Sequence, residues 1–406
     1  MQITGIISEF NPFHLGHTIP IAAARMAMGG DGVVVCIMSG NCVQRGDLAM
    51  FHKLARAEAA VRCGADLVVE LPVSYVLGSA ERFAEGGVAL LAAMGWPDSY
   101  LAFGCETADE KVLTTIAHAL NTSEVQARIK TWMKAGLPYG TACGEALNAE
   151  GYVAEPLRKP NNLLGIEYLR AIHRLGVHIT PLSVRRQGAA HDSNAPFGGY
   201  ASATYIRGLL QNAQPGDNPW SYVPTAAAEL FRRELAQGRG PASLGQLEGT
   251  VLSLLRLREP PAEGYLDDSE GLSIRIRSVA GEVGSLSELL EQAKTKRYPL
   301  SRIRRLILVM CLGLSPAHRP PLPPYIRVLA ANETGKTLLR GMTKTAALPL
   351  LSRTGEVKKL SEEAIQMVAK EGAVTDLMAL CTKGGDRRGG GEWRVVPRII
   401  YKDWVT

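Results

Sequence analysis

Apolar runs and amphipathic segments alternate through the first half of the chain. Runs rich in Val, Ile and Leu, which predict strands, lie at residues 3–7, 32–38, 65–72, 100–106 and 177–184. Segments with the three-and-four spacing of helices lie between them, at residues 15–28, 79–94, 111–119 and 124–134. Strands that are apolar on both faces are typical of a parallel sheet covered by helices. The pattern predicts an α/β fold with a doubly wound, Rossmann-like parallel sheet.

The pattern changes beyond Leu210. A linker rich in Pro, Gly and Asn occupies residues 214–219. Helical segments follow it at residues 225–237, 243–257, 286–294 and 303–310, and two later runs, 325–329 and 393–401, predict strands. A chain of 406 residues exceeds one typical domain of about 100–200 residues. We therefore predict an α/β domain at residues 1–213 and a second, mainly helical domain at 214–406.

The junction between the first strand and the first helix contains the most specific motif. The turn Asn11-Pro12 leads to His14, Gly16 and His17, in the order HxGH. In a parallel sheet such a junction forms a polyphosphate cradle, because free backbone N–H groups and the helix dipole point at the ligand. Gly16 lets the backbone approach phosphates, and two imidazoles can donate hydrogen bonds to a leaving pyrophosphate. The alternative is a chance pair of histidines or a weak metal pair.

Polar residues also follow later strands, where doubly wound folds bind ligands. Residues after the second strand that either contact a ligand or shape the loop are Ser39, Gly40, Asn41, Gln44 and Arg45. Glu70 ends the third strand and could act as a base, hold Mg²⁺ or form a structural ion pair. Gly104 ends the fourth strand and suits an adenosine packed against backbone. Arg185 and Arg186 follow the fifth strand and could bind phosphate oxygens bidentately, and a polar loop at 188–192 comes next.

HxGH is the signature of the HIGH-type nucleotidyltransferase superfamily, and the sequence around it is more specific. The relevant segments are ISEFNPFHLGH (7–17), MSGNCVQRGDLAMFHKLARAEAAVRCGADLVVELP (38–72), SAERFAEGGVALL (79–91), FGCE (103–106), NNLLGIEYL (161–169) and SATYIR (202–207). Together they closely resemble the bacterial tRNA(Met) cytidine acetate ligase family. The resemblance follows the chain order through the first half and is weaker in the second half.

The resemblance implies an ATP site with His14 and His17 as the catalytic residues. SATYIR is similar to the ISSTxIR element of small nucleotidyltransferases, where a helix start binds phosphates, although its hydroxyls could also be simple caps. Asn162 is carried over as an adenosine contact, although it could also be only a cap. The implied ATP-binding residues are Ile7, Ser8, Glu9, Phe10, Asn11, Pro12, Phe13, His14, Leu15, Gly16, His17, Pro20, Gly104, Asn162, Arg185, Arg186, Ser202, Thr204 and Arg207.

The activity implied by the resemblance is acetylation of N4 of the wobble cytidine of elongator tRNA(Met), from acetate and ATP through acetyl-adenylate. Mg²⁺ is expected with the triphosphate, and the resemblance implies no protein partner. Two alternatives are a small-molecule adenylyl- or cytidylyltransferase and an RNA-binding protein with a degenerate nucleotide site. The basic second half argues against the first, and the intact motifs argue against the second.

Basic residues provide candidate RNA contacts on a chain whose formal net charge is +6. The segment 294–305 contains six basic residues and no acidic one, with Tyr298 available for stacking. Lys53 and Arg56 lie three apart on one helix face, which is more often an ordinary solvated face than a contact to phosphate or RNA. The candidate RNA-binding residues are Lys53, Arg56, Lys294, Lys296, Arg297, Arg302, Arg304 and Arg305.

Other features restrict the class of protein. The seven cysteines are scattered without metal-binding spacing, which indicates reduced thiols and no protein-bound metal. The sequence contains no signal peptide pattern and no apolar run near the ~20 residues of a membrane helix, so we predict a cytoplasmic protein without a membrane partner. Residues 330–337 fit a relaxed phosphate-loop pattern without its first glycine, and a helix cap is the favoured interpretation.

Overall fold

The computed structural model describes residues 2–29, 32–107, 109–186, 195–212, 214–394 and 396–401, so the predicted polar loop at 188–192 lies outside the described residues. The strands are β1 (Ile3–Ser8), β2 (Val33–Ser39), β3 (Cys42–Val43), β4 (Asp47–Leu48), β5 (Leu67–Leu71), β6 (Ser99–Cys105), β7 (Ile179–Arg185), β8 (Ile326–Ala331), β9 (Leu350–Leu351) and β10 (Arg398–Ile399).

Helices cover most of the remaining described chain. They are α1 (Leu15–Ala27), α2 (Lys53–Arg62), α3 (Val73–Val76), α4 (Ala80–Ala93), α5 (Glu110–Asn121), α6 (Ser123–Lys134), α7 (Tyr139–Ala149), α8 (Pro160–Leu175), α9 (Ala203–Gln211), α10 (Thr225–Ala236), α11 (Glu248–Leu257), α12 (Leu272–Glu282), α13 (Leu286–Ala293), α14 (Leu300–Leu312), α15 (Glu333–Thr345) and α16 (Glu362–Cys381). Among the helices in the described ranges, none combines the length and apolarity that crossing a membrane requires.

Across the described residues, one eight-stranded sheet has the order β10-β8-β5-β2-β1-β6-β7, with β9 beside β8. The five strands from β5 to β7 in this order are parallel to their neighbours. Their carboxyl ends therefore share one edge, where Ser8 is level with Met38 and Gly104 with Val184. The predicted α/β fold with a doubly wound parallel sheet is confirmed.

Both faces of the central strands are buried, as the uninterrupted apolar runs predicted. In β2 the residues Val33, Val35 and Ile37 belong to the core on one face of the sheet. Val34, Cys36 and Met38 belong to the core on the opposite face, together with apolar residues of α1, α2 and α10. This two-sided burial explains why β2 has no polar alternation.

Strands from beyond residue 213 join the same sheet. β8 pairs antiparallel with β5, and β9 and β10 pair parallel with β8. The division of the chain at residue 213 stays a prediction, but residues on both sides of that position share the sheet. The predicted strand at 393–401 is wrong in extent, because Gly391–Arg394 form a 3-10 turn and the strand covers only Arg398–Ile399.

The segment that resembled a phosphate loop is a helix cap, as favoured from the sequence. The side-chain oxygen of Asn332 accepts a hydrogen bond from the Gly335 N–H over 2.9 Å at the start of α15. Close approach to β5 explains the glycine, because a Cβ atom there would lie 2.0 Å from the Asp66 carbonyl oxygen.

Candidate active site

The carboxyl ends of β1 and β6 form the edge where a ligand is expected. β2 lies on one side of β1 and β6 on the other, so the strand order reverses between β1 and β6. Open parallel sheets bind ligands at such a switch point. The segment after β1 leads directly into α1, so the HxGH motif lies at this edge.

His14 and His17 form a reciprocal cap at the start of α1. The Nδ1 atom of His14 accepts a hydrogen bond from the Gly16 N–H over 3.0 Å. The Nδ1 atom of His17 accepts one from the His14 N–H over 3.1 Å. Because both Nδ1 atoms are acceptors, the proton of each neutral ring is on Nε2. The ring centroids are only 3.8 Å apart, so the two Nε2 donors come from rings that lie close together.

Neighbouring residues restrict the orientation of these rings. A Cβ atom at Gly16 would lie 2.9 Å from His14 Cε1, so any other residue there would displace the His14 ring. The rings of Phe10 and Phe13 have centroids 4.9 and 5.4 Å from that of His17. Phe10 has φ 47°, a backbone conformation that bulky side chains rarely adopt. Strain of this kind is concentrated at functional sites.

Arg207 connects the second motif to the first. Its Nη1 atom donates to the carbonyl oxygen of Asn11 over 2.8 Å, and its Nη2 atom donates to the Thr204 hydroxyl over 3.0 Å. Ser202 caps α9, since its hydroxyl accepts the Tyr205 N–H over 3.0 Å. The two motifs therefore meet across 196 positions of the chain. A phosphate contact by Ser202, Thr204 or Arg207 stays a prediction.

Gly104, Arg185 and Arg186 lie at the adjacent ends of β6 and β7. A Cβ atom at Gly104 would lie 3.3 Å from Arg186 Cγ, so the absence of a side chain makes room for this arginine. Burial lowers the pKa of the Arg186 guanidinium. Arg185 is exposed and, with Glu106 and Lys111, lines an open surface depression of about 620 Å³. Both arginines thus lie at the predicted edge of the sheet.

Asn162 is fully buried and holds the segment after β6. Its side-chain oxygen accepts the N–H groups of Glu106 and Thr107, each over 2.9 Å. In return, a Glu106 carboxylate oxygen accepts the Asn162 N–H over 2.9 Å, and the other accepts from Asn161. Asn162 therefore fixes the backbone beside Gly104, and a direct adenosine contact stays a prediction. The role of Glu106 was missed from the sequence, where a carboxylate following a strand-ending glycine was the available signal.

The remaining residues of the segment 7–20 differ in how far they are buried and in what they contact. The Ile7 side chain packs into the core, where a Cβ atom on Gly87 would lie 2.5 Å from its Cδ1 atom. The Ser8 hydroxyl oxygen is buried and has no hydrogen-bond partner within the described part of the chain. Pro12 is buried, whereas Leu15 and Pro20 are half-buried on α1. Glu9 is half-buried, and its Oε1 atom accepts the Gln44 N–H.

Lys53 and Arg56 do not reach the surface, so their interpretation as RNA contacts is wrong. Both side chains are fully buried. Lys53 Nζ lies 2.7 Å from a carboxylate oxygen of Glu70 and 2.6 Å from one of Glu392. Arg56 donates to the backbone carbonyls of Glu9, Phe51, Ser39 and Gly40. Glu70 is thus the structural partner of Lys53, the third of the alternatives considered for it.

Several residues of the loop after β2 shape that loop. The Asn41 side chain accepts the Lys53 N–H over 2.8 Å and donates to the Thr375 hydroxyl over 3.0 Å. A Cβ atom at Gly40 would lie 2.3 Å from a Glu70 carboxylate oxygen. Ser39 is fully buried. Gln44 and Arg45 are half-buried at the tip of the β3–β4 hairpin.

The basic segment at 294–305 is divided between surface and interior. Lys294, Lys296 and Arg297 are exposed, and Arg302, Arg304 and Arg305 are half-buried. Glu270 neutralises part of the charge, since it lies 2.5 Å from Arg297 and 3.7 Å from Arg302. Arg305 donates to the Gln44 carbonyl oxygen over 3.3 Å, and burial lowers its pKa to about 10. Tyr298 is buried and donates to a backbone carbonyl, so it is not available for base stacking.

The described residues contain no group of three His, Cys, Asp or Glu side chains that could hold a metal ion. The paired histidines are bound to backbone N–H groups through Nδ1, which argues against a metal pair at HxGH. A parallel sheet with this histidine pair at its first strand-to-helix junction defines a nucleotidyl transferase of the HIGH type.

Comparisons with known proteins agree with this class. The HIGH Nucleotidyl Transferase family model matches residues 1–389. The tRNA(Met) cytidine acetate ligase of Acetivibrio thermocellus is 34% identical over 97% of this chain and 98% of its own length. Crystal structures of Thermotoga maritima TmcAL, without ligand and with alpha-thio ATP, have TM-scores of 0.91 and 0.90, 29% identity, and coverage of 99% of this chain and 100% of theirs. The chain therefore belongs to the HIGH nucleotidyl transferase family and, within it, to the tRNA(Met) cytidine acetate ligases.

Proposed function

We propose that this protein is an ATP-dependent ligase that joins acetate to N4 of the wobble cytidine of elongator tRNA(Met), forming N4-acetylcytidine. The similarity to tRNA(Met) cytidine acetate ligases over almost the whole chain supports this substrate pair. The observation that carries the proposal is the reciprocal cap of His14 and His17, which keeps the proton of both rings on Nε2. An enzyme with these substrates works in the cytoplasm.

In the first step, an acetate oxygen attacks the α-phosphorus of ATP. The new bond is the mixed anhydride of acetyl-adenylate, and the bond to the β-phosphate breaks, so that pyrophosphate leaves. Negative charge accumulates on the leaving group and the α-phosphoryl oxygens. His14 and His17 would donate hydrogen bonds from Nε2 to these oxygens, and this stabilisation needs no proton transfer.

The rest of the proposed site holds ATP in place. Ser202 and Thr204 at the start of α9 would bind phosphates, with Arg207 fixing both motifs. Arg185 and Arg186 would bind further phosphate oxygens, and Gly104 with the backbone that Asn162 holds would support adenosine. Mg²⁺ would be carried by the triphosphate, because the described residues offer no protein cage and Mg²⁺ prefers phosphate oxygens and water.

In the second step, the cytosine amine attacks the acetyl carbonyl carbon and AMP leaves. The tRNA would bind the surface that carries Lys294, Lys296 and Arg297, since exposed cations bind the RNA backbone. Arg302 and Arg304 are half-buried near this surface, and Arg305 fixes α14 to the β3–β4 hairpin. Gln44 therefore connects α14, the helix that follows this surface, to Glu9 at the end of β1.

Mass-spectrometric nucleoside analysis tests the proposal. The protein is incubated with ATP, Mg²⁺, isotope-labelled acetate and unmodified tRNA, beside the variant His14→Ala/His17→Ala. We expect label in N4-acetylcytidine only with the intact histidines. AMP and pyrophosphate without labelled RNA would mean that the acceptor is different. Absence of both products would overturn acetate as the substrate and favour a small-molecule transferase.

A further inference from the structure

Glu9 is a carboxylate at the edge of the sheet where the neighbouring residues are predicted to bind phosphates. It is the only acidic residue between Gln2 and Gly29, and it follows directly after β1. The resemblance implies that Glu9 belongs to the ATP site, but a carboxylate beside a triphosphate repels it, so a direct contact with phosphate does not explain this residue. The phosphate cradle starts at His14, and the turn at Asn11-Pro12 separates the two.

The side chain of Glu9 is held firmly on one side. Its Oε1 atom accepts the N–H of Gln44 from the β3–β4 hairpin, and its backbone carbonyl accepts from Arg56 of α2. The charges of three guanidiniums from different elements act to lower the pKa of the carboxylate, namely those of Arg207 of α9, Arg56 of α2 and Arg45 of the hairpin. The phenol of Tyr168 on α8 is the fourth titratable group nearby. Burial nevertheless raises the pKa of Glu9, so this carboxylate has more affinity for a proton than an exposed one.

The crevice at the carboxyl ends of β1 and β6 has two sides, and Glu9 lies on one of them. Gly104 and Arg186 line the side of β6 and β7. Glu9 lies on the opposite side with Gln44, whose carbonyl oxygen accepts a hydrogen bond from Arg305 of α14. A single hairpin thus contacts both Glu9 and the helix that follows the exposed cations at residues 294–297.

We infer that Glu9 is the general base of the acetyl-transfer step and takes a proton from N4 of the cytosine. The inference rests on the proposed function. As the amine attacks, the N4–carbon bond forms and the bond between the acetyl carbon and the phosphate oxygen breaks. AMP leaves with the electron pair of that bond. The N4 proton passes to the Glu9 carboxylate and from there to water.

The two steps can be measured separately in the full-length protein. Acetate-dependent exchange of labelled pyrophosphate into ATP reports acetyl-adenylate formation. Single-turnover transfer from preformed acetyl-adenylate to tRNA, measured from pH 5 to pH 9, reports the second step. Glu9→Gln keeps an oxygen that can accept the Gln44 N–H but removes the base, and Glu9→Asp keeps a carboxylate at a shorter reach. Melting temperatures of both variants establish that they fold.

We expect Glu9→Gln to lower the rate of transfer by about 10²–10⁴-fold more than it lowers the rate of exchange, since that factor is the usual contribution of a general base. The pH profile of transfer should lose its acid limb in Glu9→Gln, and Glu9→Asp should restore part of the rate and that limb. Equal losses in both steps would overturn the inference and make Glu9 a support of the cradle. Unchanged transfer would overturn it in favour of the AMP phosphate or water as base. Absence of acetate-dependent exchange in the unaltered protein would overturn the proposed function, and the inference with it.

Discussion

Lys53 Nζ lies 2.6 Å from a carboxylate oxygen of Glu392, although 339 positions separate the two residues. Both side chains are fully buried. Lys53 is the first residue of α2, which also carries the Arg56 side chain beneath the loop after β2. Glu392 therefore holds the start of α2, whose Arg56 donates to the backbone carbonyl of Glu9 at the edge of the candidate site.

This ion pair belongs to a larger buried cluster. Glu70, Glu371 and Glu392 supply three carboxyl groups, and Lys53 and Arg327 supply two cations. Burial and the nearby Glu70 raise the pKa of Glu371 well above its usual range. Lys53 and Arg327, despite burial, hold the pKa of Glu392 at about 2. The cluster reaches neutrality when Glu371 keeps its proton.

Removing the central cation should therefore destabilise the fold strongly. Lys53→Met fills a similar volume but leaves buried carboxylates without their partner, so we expect the free energy of unfolding to fall by about 3–5 kcal/mol. Urea denaturation followed by circular dichroism measures the loss. The matched control is Arg388→Met, which removes the exposed partner of Asp386 and should change stability little. Similar losses in both variants would contradict a special role for the buried cluster.

The cap at the start of α1 can be separated from the chemistry of its histidines. In His14→Asn/His17→Gln, an Asn N-cap and a Gln at the third helical position can keep the capping box while both imidazole donors are lost. We expect the melting temperature to change by only a few degrees and acetate-dependent pyrophosphate exchange to fall by at least about 10²–10³-fold, the cost of one transition-state donor.

The alanine variant completes this comparison. His14→Ala/His17→Ala should lose the same activity and, in addition, about 1 kcal/mol of stability for the lost cap. Exchange at near-normal rates in His14→Asn/His17→Gln would mean that the histidines are structural caps and that phosphate stabilisation lies elsewhere.

Local sequence patterns predicted the phosphate cradle between β1 and α1, but they did not predict the buried residues that hold it in place. β1, its turn and α1 follow from short-range periodicity and the HxGH order, and these elements lie where they were predicted. Lys53 and Arg56 were placed on a solvated face because helical spacing defines a face without saying what covers it. Their cover comes from Glu392 and from backbone carbonyls of distant loops, which no local pattern encodes.

The sheet is a second example of a tertiary contact that local sequence patterns do not predict. Residues 325–329 were predicted as a strand from their apolar run, and β8 begins one residue later at Ile326. Its antiparallel pairing with β5, however, depends on a contact between Val68 and Ala330 that spans most of the chain. Periodicity predicts an element, whereas the partner of a strand is decided by tertiary packing.

His52 should make stability depend on pH. Its Nδ1 atom accepts the Leu54 N–H at the start of α2, and burial, assisted by Lys53, lowers its pKa to about 3. An unfolded histidine has a pKa of about 6.5, so the unfolded state binds the proton first. The contribution of neutral His52 to the free energy of unfolding is therefore complete above pH 6.5, and it is lost as the pH falls toward 3. At pH 5 the loss should be about 2 kcal/mol.

Comparing variants isolates this contribution from those of other groups. His52→Asn keeps a side-chain acceptor for the cap but does not titrate, so the difference in unfolding free energy between pH 7.5 and pH 5 should shrink by that amount. His178→Asn, at an exposed histidine, is the control and should leave the difference unchanged. An unaltered pH dependence in His52→Asn would show that His52 is protonated in the fold without cost.

The proposed RNA surface makes a prediction about salt. Lys294→Ala/Lys296→Ala removes two exposed cations, whereas Arg297 is already engaged by Glu270. If each lysine binds one phosphate, tRNA affinity should fall, and the slope of log K against log salt concentration should decrease by about 1.5. Filter binding at several salt concentrations measures both quantities. Lys358→Ala/Lys359→Ala removes the same charge from another exposed segment and should leave the slope unchanged. An equal decrease in both double variants would mean that the tRNA responds to net charge, and that residues 294–297 do not form its binding surface.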